Sequence, residues 1–90
     1  MNVKDMIQTC SASPSQWEGS LTDGRMFYAR YRHGFLSITV SKNATTNIDD
    51  AIIEESDSIY GEQLGDEYDG ILDESLLIEK MKESGFTFEY

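Results

Sequence analysis

Two X-Gly dipeptides constrain this chain more than any other feature. Asp23-Gly24 and His33-Gly34 bracket the run Met26 to Arg32, with Trp17 to Leu21 before it and Phe35 to Ser41 after it. Asp-Gly is among the strongest signals for a tight hairpin, because both central residues of a type I′ turn need positive φ. The expectation is a three-stranded antiparallel meander. With a two-residue turn at each place, Tyr31 pairs with Leu36, Ala29 with Ile38 and Phe27 with Val40. All six are apolar or aromatic and share one face, and a slip of one residue would destroy the match. The same register sets Trp17 across from Arg30. It gives the other face Trp17, Leu21, Met26, Tyr28, Arg30, Arg32, Phe35, Ser37 and Thr39.

Helices are expected on either side of the meander. Val3, Met6, Ile7 and Cys10 fall at i, i+3, i+4 and i+7, the stripe of a short helix capped by Asn2 and broken at Pro14. Asn47 caps a second, with Ile48, Ala51 and Ile52 as its apolar positions. Asp73 or Ser75 caps a third, running to about Ser84 with Leu77, Ile78 and Met81 inward. Gly85 then takes the left-handed position and lets Phe86 touch Met81. Phe86, Phe88 and Tyr90 alternate with Thr87 and Glu89, which leaves room for a short C-terminal strand. Glu54 to Asp73 has no clean period, and Ile59, Tyr60, Leu64, Tyr68 and Ile71 are expected to tack it onto the body. The expected fold class is therefore α+β. A single domain spans residues 1–90, with a three-stranded meander, an optional fourth strand, and two or three short helices mainly on the Phe27–Val40 face.

Ninety residues bury enough surface for one small core and leave little room for a deep substrate cavity. No apolar run approaches the roughly 18–20 residues that span a bilayer, and Met1 to Thr9 does not read as a signal peptide. Cys10 is the only cysteine, so no internal disulfide can form, and a reducing cytoplasm is the expected compartment.

Charge is distributed unevenly. Residues 1–44 carry five basic and three acidic groups, a net of +2. Residues 45–90 carry fourteen acids and only Lys80 and Lys82, a net of −12, which brings the chain to −10. Eleven acids fall within residues 49–74, with no lysine or arginine among them. In a helix they would lie about 3.5 Å apart, close to the ~3.4 Å charge spacing of a nucleic-acid strand; extended, they would be nearly 8 Å apart. The segment reads either as a phosphate-backbone mimic or as a solvated face that keeps a small protein in solution.

Other chemistry finds little support. Aligning Gly61 or Gly70 to the glycine of a calcium-binding EF-hand loop puts Tyr60 or Leu76 at a ligand position, so no such site is expected. Zinc would need about four Cys or His ligands, and only Cys10 and His33 exist. His33 reads as a turn residue and Cys10 as a small core residue, with nothing tying one to the other. No metal, cofactor or enzymatic activity is expected.

The runs Trp17-Glu18-Gly19-Ser20-Leu21, Asp23-Gly24-Arg25, Tyr28-Ala29-Arg30-Tyr31-Arg32 and Phe35-Leu36-Ser37-Ile38 resemble small proteins encoded by phages and mobile elements. These are hairpin and core residues, and they carry no catalytic residue across. In size, compactness and acidity the chain is also similar to anti-CRISPR proteins, many of which are short, acidic and single-domain. That resemblance implies an inhibitor that blocks the DNA or guide-RNA surface of a CRISPR effector.

Three functions follow as expectations. The first is a non-catalytic inhibitor that sets Asp57, Glu62, Asp66, Glu67, Asp69, Asp73 and Glu74 against a basic nucleic-acid-binding surface of a partner protein. The second is a binding module whose face of Trp17, Tyr28, Arg30, Arg32 and Phe35 holds single-stranded nucleic acid or a peptide. Against it stands a bland alternative, an intramolecular cation–π contact of Arg on Trp, with the acidic segment folded over the arginines. At a net charge of −10, direct nucleic-acid binding is disfavoured, and no membrane association is expected. The third is a structural or assembly protein, homodimeric through the exposed aromatics.

Overall fold

The computed structural model describes residues 1–11, 14–52, 57–66 and 70–89, without the side chains of Asp49 and Asp50. Its strands are β1 (Asn2–Cys10), β2 (Ser15–Leu21), β3 (Met26–Arg32), β4 (Phe35–Val40), β5 (Asp57–Gln63) and β6 (Thr87–Phe88). The helical segments are α1 (Asp49–Ile52), a single turn, and α2 (Glu74–Glu83). The strands form one sheet in the order β5-β4-β3-β2-β1-β6, curled into a half-barrel. All neighbours are antiparallel except β1 and β6. The α+β expectation with two or three helices is thus corrected: the protein is mostly sheet, and α2 is the only described helix longer than one turn.

The β3–β4 hairpin has the expected register. His33 (φ 54°) and Gly34 (φ 76°) make a two-residue turn, and Phe27, Ala29 and Tyr31 pair with Val40, Ile38 and Leu36. The β2–β3 hairpin does not. Its loop has three residues, Thr22-Asp23-Gly24, closed by Leu21 N–H on Arg25 O at 2.8 Å and Gly24 N–H on Leu21 O at 3.0 Å. Only Gly24 (φ 93°) takes positive φ in this loop, as in a type I turn followed by a left-handed residue. One extra loop residue shifts the register by one and flips every side chain of β2. Trp17 therefore faces Ala29 rather than Arg30, and Trp17 and Leu21 move from the outer face into the core.

The N-terminal helix is also corrected. Residues 2–10 form a strand in which Lys4 is a bulge, an extra residue between the pairs Val3↔Leu21 and Asp5↔Ser20. A bulge restores side-chain facing across a spacing of three, so Val3 and Met6 both reach the core side, as they would in a helix. Ile7 lies opposite Glu18 on the other face and is 65% exposed.

The core combines Val3, Trp17, Leu21, Phe27, Ala29, Tyr31, Leu36, Ile38 and Val40 from the sheet with Leu72, Leu77, Met81 and Phe86 from the α2 region. Asp73 caps α2 by accepting from Ser75 N–H at 3.2 Å. Phe86 N–H donates to Met81 O, and the Phe86 ring lies 6.1 Å from Phe27 at 60°. Strand β2 fixes how α2 approaches. Ser15 N–H donates to Gly70 O, Leu72 N–H to Ser15 Oγ at 3.1 Å, and Trp17 Nε1 to Glu74 Oε1 at 3.0 Å. The one-turn α1 was expected on this core face but packs on the reverse, where Thr39 Oγ1 donates to Ala51 O.

Asp23 locks the first loop through Oδ1 to Arg25 N–H at 3.0 Å and Oδ2 to Arg25 Nε at 2.8 Å. The Arg25 amide, aided by its guanidinium and opposed by desolvation, holds the carboxyl below its ordinary 3.8. A lowered folded-state value means that this contribution is whole above the ordinary value and is lost as pH falls through the folded one. Asp23→Asn is therefore expected to be less stable than wild type at about pH 6, with a smaller gap at about pH 3. Urea denaturation at the two pH values measures this, and a gap that does not change would contradict it.

Candidate functional site

The acidic residues divide according to what holds them. Asp57 and Glu62 lie on β5, an edge of the sheet, and both are exposed. Their cross-strand partners are Val40 and Leu36, and Tyr60 pairs with Ile38, so all three point to the side of the sheet that carries α2. Ser58, Gly61 and Gln63 point to the reverse side, and Ile59 is the bulged residue between the two regular stretches. Asp66 follows β5 and is exposed, its carbonyl lying against the His33-Gly34 turn. Asp73 and Glu74 stand elsewhere. Glu74 reaches Trp17 on β2, three strands from β5, or about 14 Å at ~4.8 Å per strand. Glu67 and Asp69 lie outside the described residues.

The two groups also differ in role. Asp73 caps α2 and Glu74 satisfies the indole N–H of a fully buried tryptophan, so both act in the fold. Glu62 accepts from the Tyr60 hydroxyl and sits 3.6 Å from Lys80 Nζ, which also lies 3.4 Å from Glu83. Desolvation lowers the Lys80 pKa, but Glu62 and Glu83 outweigh it and hold the ammonium above its ordinary value. One of only two basic groups in the C-terminal half is thereby committed to its own chain. Among the described residues no acid pairs with Arg30 or Arg32; Glu54, Glu55, Glu67 and Asp69 of the acidic segment lie outside them.

On the reverse face the Phe35 ring lies over Gly61: a β-carbon there would sit 2.9 Å from Phe35 Cζ. Phe35 remains 43% exposed. Tyr28 and Arg30 are half-buried on the same face and Arg32 is exposed. Burial raises the Tyr28 hydroxyl pKa, with nearby Arg30 opposing. Arg30 Nε is buried with no acceptor among the described residues. Trp17, placed on this face from the sequence, is in the core, so the expected Trp17–Arg30 stack does not exist.

Sequence reading missed β5 itself. Its signal was broken by the bulge, which makes Ile59 and Tyr60 adjacent apolar residues instead of alternating ones. Ile59, Tyr60 and Leu64 do pack against the core, as expected, whereas Ile71 is 65% exposed. No group of three or more His, Cys, Asp or Glu side chains among the described residues is arranged to hold a metal ion. No helix among them is long and apolar enough to cross a membrane. No protein-family model, curated protein or solved structure matches the chain.

The division of labour is testable by stability alone. Asp73→Ala and Glu74→Ala are each expected to cost about 1 kcal/mol, from a lost cap and an orphaned indole donor respectively. Asp57→Asn is expected to fall within about 0.5 kcal/mol of wild type. Urea midpoints measure all three, and equal losses would contradict the division.

Proposed function

We propose that this protein is a non-catalytic binding protein that sets the acidic edge Asp57–Asp66 against a basic surface of a partner protein. That surface is of the kind that holds nucleic acid, and docking blocks it in the cytoplasm. One observation carries the reading. The stretch richest in acids and devoid of lysine and arginine supplies an edge strand with exposed Asp57 and Glu62. Complementary charge would steer encounter and make binding salt-sensitive. Phosphate-like spacing has no part in it, because Asp57 and Glu62 are five extended residues apart, about 17 Å at ~3.3 Å per residue.

The experiment compares two variants of equal charge change. One is Asp57→Asn/Glu62→Gln/Asp66→Asn; the other, Glu18→Gln/Glu79→Gln/Glu89→Gln, removes the same charge elsewhere. Calorimetric titration with a Lys/Arg-rich peptide is expected to show at least about tenfold weaker binding for the first and near wild-type binding for the second. Equal weakening would mean that net charge alone attracts the peptide, and the assignment to this edge would fall.

A second reading rests on the buried Arg30 Nε, which has no acceptor among the described residues. An anionic or carbonyl group docked beside Tyr28 and Phe35 would satisfy it. Fluorescence titration with a short labelled oligonucleotide tests this: binding that disappears in Arg30→Ala supports it, and no binding refutes it.

A further inference from the structure

Strand β5 ends the sheet, and among the described residues no strand pairs with its outer edge. At the opposite end β6 is two residues long and covers only Asn2 and Val3 of β1; the rest of β1 is an edge that carries Lys4 and two register shifts, whereas β5, with seven residues, has no lysine and one shift. Edges of this kind present a row of amide and carbonyl groups to an extended chain, and proteins guard them with charged side chains, lysine above all, with proline or with bulges. Here Ser58–Gln63 contains neither lysine nor proline, and the bulge lies at Ile59, leaving Tyr60–Gln63 in regular register with Ile38–Phe35. Resting on the function proposed above, we infer that the partner supplies an extended basic segment that adds to β5 as a seventh strand, the main-chain mode of peptide recognition.

The two sides of β5 specify what such a segment carries. On the α2 side Asp57 and Glu62 are exposed, so the added strand places lysine or arginine there. On the reverse side Gly61 has no side chain and the half-exposed Phe35 ring lies over it, offering an apolar surface to one aliphatic side chain of the newcomer. Side chains alternate along a strand, so the sequence that fits is alternating basic and aliphatic. A second copy of this chain does not fit, because it would bring together two proteins of net charge −10, each through its own acidic edge.

The test uses an end-capped peptide of about twelve residues, alternating lysine and valine. Two isomers carry backbone N-methyl groups, one on each set of alternate amides. Charge and side chains are unchanged, but each isomer blocks one hydrogen-bonding edge of the peptide. Strand addition requires that the unmodified peptide bind and that one isomer lose at least about tenfold while the other retains affinity. Phe35→Ala should then weaken the unmodified peptide, and the folded state of that variant is checked by circular dichroism. If both isomers bind like the parent, or both weaken alike, strand addition is overturned while acidic docking stands. If the unmodified peptide does not bind at all, both the strand addition and the proposed function fail.

Discussion

Trp17 is where the sheet, the helix and the acidic segment meet, and its position follows from one loop residue. Because the β2–β3 loop has three residues, Trp17 enters the core opposite Ala29 and carries its indole N–H with it. A buried indole N–H needs an acceptor, and Glu74 at the start of α2 supplies a charged one at 3.0 Å. Ser15, two residues earlier on the same face, holds residues 70–72 through its amide and hydroxyl. Together these contacts set α2 across the sheet and bring Leu77, Met81 and Phe86 onto the strands. In the other register Trp17 would have stood outside, and α2 would have lost both the indole and its anchor.

This placement separates the acids by role. Those at the start of α2 are drawn into folding, one as a cap and one as the tryptophan's acceptor. Those on β5 stand exposed at the sheet edge that pairing with β4 leaves, Glu62 with Lys80 3.6 Å away. A charge count over the sequence cannot separate the two groups. The difference is about 14 Å across the sheet and a change of role. Lys80 narrows the balance further by turning towards Glu62 and Glu83, which leaves Lys82 as the C-terminal half's other basic residue.

Much of this was legible from residues alone, and each failure has a local cause. The pairing of Phe27, Ala29 and Tyr31 with Val40, Ile38 and Leu36 followed from alternation and His33-Gly34, and the structure has it. The preceding hairpin was missed by one residue, because Asp-Gly also suits a three-residue loop in which only the glycine takes positive φ. The N-terminal strand imitated a helix because the bulge at Lys4 turned a period of two into a spacing of three. A second bulge, at Ile59, hid β5 in the same way. Bulges are set by pairing with a neighbour, so a pattern read along one strand does not reveal them. Asp73 was legible as a cap because capping is local. The role of Glu74 was not, since its partner lies 57 residues away.

In the proposed function β5 is the surface that a basic partner reads. Amide chemical-shift mapping with a Lys/Arg-rich peptide tests this directly, because every residue reports at once. Perturbations are expected to concentrate on residues 57–66 and on the adjoining His33-Gly34 turn. Perturbations spread evenly over the molecule, or centred on Tyr28 and Arg30 instead, would contradict it.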